Sequence, residues 1–271
     1  MDKVFKLTNK YIILATPLIL FSLISNVYLA LSVHGRVINL IIAIAIILLM
    51  TGAFFAGWLN MIKTCIIEPD REEPNSLMLE FSSGVGEYFV PTTVALLNYF
   101  FLIFAGLVVA YFLGKFAIGD IGITAQALSK AVETPQALKT FLMSLSNEQI
   151  MKINQWNLLL MLAMLIPNFL TMLYLPAIFF KNKNPFIALI TSLKDLFSRK
   201  FFTTLGIGIL IFLVYFIISL FMAVFAGNSV LHFVITLINF YFVTVVSVGI
   251  FYYYYHTFVN PPKGQNIDIE I

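Results

Sequence analysis

The chain has 271 residues, of which 61% are hydrophobic and only 11% charged, with a formal net charge of +3. A soluble domain carries about 45–50% apolar and 25% charged residues, so a water-soluble globule of this composition is excluded. The small charge and the lack of a basic block argue against nucleic acid as a partner.

Long runs without charge follow one another along the chain: 11–33, 37–62, 88–114, 156–180, 201–225 and 230–255. Each exceeds the roughly 20 residues that a helix needs to cross a bilayer. Inside hydrocarbon every backbone amide must be paired within its own element, which leaves helices or a closed barrel. A barrel would show alternating segments of about ten residues; these runs are continuous. The expected fold is therefore all-α, a single polytopic domain over 1–271 with six transmembrane helices. The start, Met1-Asp-Lys-Val-Phe-Lys, leads into an apolar run without a small-residue cleavage site and reads as a retained first span.

Six crossings put both termini on one side. Eleven of the sixteen Lys and Arg residues then fall on that side, among them Lys3, Lys6, Lys10, Lys63, Arg71, Lys181, Lys183, Lys194, Arg199 and Lys200. The positive-inside rule makes it the cytoplasm. The excess of Lys over Arg, with abundant Phe, Ile and Asn, points to an AT-rich bacterial genome, and the expected location is the bacterial cytoplasmic (plasma) membrane. The run Tyr252-Tyr253-Tyr254-Tyr255-His256 suits an aromatic belt at the cytoplasmic interface, and Pro261-Pro262 stops the last helix before a tail at 256–271.

The connections carry amphipathic patterns. Pro74-Asn75 precedes Leu77, Met78, Phe81, Val85 and Phe89, and Asn184-Pro185 precedes Phe186, Leu189, Ile190, Leu193, Leu196 and Phe197. Both predict surface-lying helices, before spans three and five. Aligning Pro74 with Pro185 also aligns Thr92-Thr93 with Thr203-Thr204, an offset of 111 residues that suggests a parallel repeat of span, surface helix, span. The long third connection, 119–155, falls outside the cell. Thr134-Pro135 marks a helix start there, Leu138, Phe141, Leu142 and Leu145 a stripe, and Ser146-Asn-Glu-Gln149 a capping box. It reads as a hairpin resting on the outer leaflet, with a lid as the alternative.

The stretch from Asn184 to Phe202, in which Ala188-x-x-x-Ser192-Leu193-Lys194-x-Leu196 leads into an apolar span, resembles the six-span membrane domain associated with bacterial glycerophosphodiester phosphodiesterases and related free-standing bacterial membrane proteins. The resemblance covers about residues 40 to 256. It implies six spans and carries no catalytic residue; the soluble phosphodiesterase domain has no counterpart in this sequence.

No metal-protease, serine-hydrolase or nucleotide-binding motif is present, so catalytic, cofactor and metal sites are all expected to be absent. His34, His232 and His256 sit near helix ends and read as interfacial. The acidic run Glu68-Pro-Asp-Arg-Glu-Glu73 reads as a solvated loop, and the single Cys65 as an ordinary residue at a helix end. Within the spans the polar candidates are uncharged: Asn26, Asn98, Asn168 and Asn239. Each amide needs a partner in hydrocarbon, and the four become a substrate site only if they converge. Gly52 with Ala56, Ala53 with Gly57, and Ser219, Ala223 and Gly227 offer small faces for helix packing. Pro17, Pro91, Pro167 and Pro176 are candidate kinks.

The function expected from this reading is a non-enzymatic multi-pass protein that organises membrane or assists a membrane complex. Its partners would be lipids and other membrane-protein subunits. The alternative is a transport component, a permease-like subunit driven by a separate ATPase; a membrane-bound enzyme comes last for want of reactive groups.

Overall fold

The computed structural model describes residues 2–32, 37–71, 76–225 and 227–261. They are helical, with no strand among them. Six stretches are long and apolar enough to cross a membrane: Ile12–Ala30, Ile42–Ile67, Leu77–Ala117, Asn147–Phe180, Phe201–Val224 and Ser229–Val259. The protein is an all-α, multi-pass membrane protein.

The described helices are α1 (Asp2–Lys10), α2 (Ala15–Ser32), α3 (Val37–Ile67), α4 (Leu77–Ala117), α5 (Ala125–Ala131), α6 (Pro135–Ser144), α7 (Asn147–Leu170), α8 (Tyr174–Phe180), α9 (Pro185–Leu196), α10 (Phe201–Val224) and α11 (Ser229–Tyr254). A 3-10 turn, Ile12–Leu14, separates α1 from α2, and a π-helical turn, Tyr255–Val259, ends α11.

Two of the four prolines lie just beyond a break. A proline collides with the carbonyl four residues before it and gives that carbonyl no N–H. For Pro17 this carbonyl is Ile13, inside the 3-10 turn; for Pro176 it is Met172, in the turn between α7 and α8. Pro91 and Pro167 instead lie within continuous helix. The residues before span three belong to the same helix as the span, because α4 runs unbroken for 41 residues, about 60 Å at 1.5 Å per residue. Before span five the chain behaves differently. α9 is a separate helix, capped by the Asn184 side chain on the N–H groups of Phe186 and Ile187, with Pro185 at its first position. The offset of 111 residues thus pairs a continuous helix with a broken one.

The chain forms two compact units, Met1–Asn98 with Leu170–Ile271, and Tyr99–Phe169. In the first, α11 packs against α1, α2, α3, α8 and α10, and α8 against α9. Its core gathers where α1, the second half of α3, the start of α4, α8, α9 and the last turns of α11 meet. Tyr11, Leu14, Trp58, Met61, Ile62, Leu77, Tyr88, Tyr174, Ile178, Leu196 and Tyr254 are all shielded there. The α3–α4 contact is close because Gly84 lies where a side chain would meet the Ala56 carbonyl at 2.6 Å, and Gly57 leaves room for the Phe81 ring. The small face at Gly52, Ala56 and Gly57 is therefore a packing face. The one at Ser219, Ala223 and Gly227 is not: Ala223 is exposed and Gly227 borders open space.

In the second unit the remainder of α4 meets α7. The Trp156 ring occupies the space a side chain at Gly114 would take, and its Nε1 donates to the Gly119 carbonyl at 3.2 Å. The Ala163 carbonyl, deprived of a donor by Pro167, lies where a side chain at Gly106 would meet it at 2.9 Å. Gly119 and Gly122 both take φ of 75°, a conformation that other residues rarely adopt. Thr134 caps α6 through the N–H of Ala137, and Ser146 and Gln149 form the reciprocal pair: Gln149 N donates to Ser146 Oγ at 3.2 Å and Ser146 N to Gln149 Oε1 at 3.0 Å.

Candidate functional site

The four asparagines take different partners. Asn98, in the first unit, donates to the Tyr174 hydroxyl at 3.0 Å. Asn168, in the second, accepts from the Tyr99 hydroxyl at 2.8 Å and donates to the Met164 carbonyl at 2.8 Å. Asn26 is exposed on α2 and reaches only Ser22 Oγ, at 3.5 Å. Asn239 Oδ1 is buried without a hydrogen-bond partner, as are Ser25 Oγ, Thr92 Oγ1 and His232 Nδ1. Three of the four amides thus serve local or helix-to-helix hydrogen bonds, each worth roughly 0.6–2 kcal/mol in a membrane.

Polar side chains converge instead at the core end of the first unit. Lys181, just after α8, pairs with Asp195 of α9 at 2.9 Å, and the buried Tyr254 hydroxyl of α11 donates to the same carboxylate at 2.6 Å. One carboxylate therefore ties three helices. The Lys181 ammonium also lies 5.4 Å from the centre of the Tyr254 ring and 5.7 Å from that of Phe258. Next to this, Tyr88 of α4 stacks on Phe179 of α8 with ring centres 4.2 Å apart. Lys63 of α3 donates to the Tyr88 hydroxyl at 2.7 Å, and Lys183 lies 5.4 Å from the ring while pairing with Glu87 at 2.6 Å.

A second knot fastens the start of the chain. The Trp58 indole donates to the Leu14 carbonyl at 2.7 Å, a carbonyl at the end of the 3-10 turn. The Tyr11 hydroxyl sits among the carbonyls of Glu68, Pro69 and Arg71 at 3.1–3.4 Å, and Lys10 Nζ reaches the Pro69 carbonyl at 2.6 Å. Arg71 turns to Glu80 of α4 at 3.3 Å. The loop after α3 is thus held by structural contacts; Glu72, Glu73, Pro74 and Asn75 lie outside the described residues, as do His34, Arg36 and the tail from Pro262.

The tyrosine run spreads around its helix. Successive helix residues point about 100° apart, so four in a row face every direction. Tyr254 binds Asp195, Tyr253 pairs with Thr204 of α10 at 2.8 Å, and Tyr252 packs on His256 at 4.2 Å between ring centres. Cys65 is fully buried, its Sγ facing the Ile62 carbonyl at 3.1 Å. His232 and His256 do not join a metal cluster; no group of three or more His, Cys, Asp or Glu side chains able to hold a metal exists among the described residues.

What α9 offers outward is apolar and basic. Ala188, Ser192 and Leu196, four residues apart, are buried toward the bundle. Phe186, Ile187 and Ile190 of α9, with Phe197 just after it, are exposed, and so are Lys194 and Arg199. No protein family model, curated protein or solved structure matches this chain.

Proposed function

We propose that this is a non-enzymatic protein of the bacterial plasma membrane that acts as an accessory subunit, with both termini in the cytoplasm and α9 as the cytoplasmic docking surface. The observation that carries the reading is the Lys181–Asp195–Tyr254 contact. It fixes a short, separately capped helix against α8 and α11 and leaves Phe186, Ile190, Phe197, Lys194 and Arg199 facing outward. The polar residues at this end are occupied in holding helices together, which supports a structural role for them rather than chemistry. The lysine distribution supports the cytoplasmic side. The resemblance of the 184–202 stretch to the phosphodiesterase-associated membrane domain points to the same class.

Purification of the tagged chain from native membranes tests this. The expected result is a membrane-protein partner in fixed ratio, lost when Lys194 and Arg199 are replaced by Glu. Recovery of an ATPase in fixed ratio would replace this reading by the transport one. Solute flux from vesicles holding the chain alone would overturn it.

A further inference from the structure

An apolar groove of about 490 Å³ runs between the start of span one and α11, lined by Ile12, Ala15, Thr16, Ile19, Leu237 and Phe240 among others. Ile12 of the 3-10 turn lies on its wall, where α1 passes into α2 beside α11. Tyr241, at the groove, donates its hydroxyl to Asn9 Oδ1 of α1 at 2.6 Å, which holds α1 at that end. α1 buries Val4, Leu7 and Thr8 and exposes Lys3, Lys6, Asn9 and Lys10. Its three lysines face one aspartate, which leaves two positive charges. The Asp2–Lys6 pair, at 2.8 Å, is highly exposed and holds Lys6 only weakly. Lys10 is engaged by the Pro69 carbonyl, so Lys3 and Lys6 are the cations available outward.

We propose that this groove with the basic face of α1 is a binding site for one anionic phospholipid, its acyl chain lying along Ile12, Thr16, Ile19 and Leu237 and its phosphate facing Lys3 and Lys6. A groove between membrane-spanning helices has no water to fill it, and acyl chains are the apolar matter at hand. The charge selects the headgroup: basic side chains at a membrane surface draw anionic lipid. The inference rests on the reading of these helices as membrane spans and is independent of docking at α9.

The test is native mass spectrometry of the full chain released from nanodiscs that hold equal phosphatidylglycerol and phosphatidylcholine. The wild type should keep one phosphatidylglycerol preferentially. Replacing Lys3 and Lys6 by Gln should cut that preference about thirtyfold, each lysine near an anionic surface giving about fivefold. Thr16→Trp, at an exposed position, should fill the groove and remove retention of both lipids. Equal retention of the two lipids by the wild type, an unchanged preference in the Gln variant, or full retention in Thr16→Trp would each overturn the site. Failure to recover a fixed-ratio partner with the wild-type chain, with the lipid preference intact, would count against the docking role alone.

Discussion

Gly52 and Gly86 sit on neighbouring helices of the first unit, yet the same substitution should act on them in opposite senses. A side chain at Gly52 would collide with Thr93 Oγ1, whereas one at Gly86 meets nothing within 4 Å. Gly52→Ala should destabilise the protein by about 1–3 kcal/mol through overpacking. Gly86→Ala should raise its stability by up to about 1 kcal/mol through helix propensity. Thermal unfolding in detergent measures both. Trp58→Phe removes the donor to the Leu14 carbonyl from a site that is only 1% exposed. It should cost about 1–3 kcal/mol, the range for a buried polar group left without its partner. Only part of this was legible at the residue scale. The glycine and alanine spacing on α3 marks a packing face, but Ser219, Ala223 and Gly227 have the same spacing, and there Ala223 is exposed and Gly227 borders open space. Small size permits close approach; it does not say which helix arrives.

At the scale of elements, proline position decides where a span breaks. Pro17 and Pro176 each lie four residues after a break, while α4 and α7 continue through Pro91 and Pro167. α9 is tied to α8 and α11 through one carboxylate. Asp195→Asn removes the charge that Lys181 and Tyr254 share. The change should loosen α9 by about 1–3 kcal/mol. Hydrogen exchange should quicken across Pro185–Leu196 and stay unchanged in α6, which belongs to the other unit. Caps were readable because their rules are local: Asn184-Pro185, Thr134-Pro135 and Ser146 with Gln149 all cap helices as their spacing suggests. The tyrosine run is not one feature. Its residues point around the helix, and Tyr253 and Tyr254 bind inward to Thr204 and Asp195.

For the whole molecule, the number of long apolar helices follows from hydropathy along the chain and needs no knowledge of neighbours. The location of the core does not. Phe54 is 5% exposed and Phe202 is 81% exposed, yet both sit in uninterrupted apolar sequence. In a membrane the lipid-facing side is as greasy as the packed side, so the usual contrast between two helix faces disappears. For the four asparagines, likewise, sequence shows that an amide needs a partner, not which helix supplies it. The claim on which the account depends is six crossings, with α9 in the cytoplasm and 119–155 outside. Cys65 is fully buried and serves as a silent background for labelling with a membrane-impermeant maleimide in intact cells. Lys130→Cys should react without permeabilisation and Lys194→Cys only after it; labelling of Lys194→Cys in intact cells, with Lys130→Cys protected, would contradict the account.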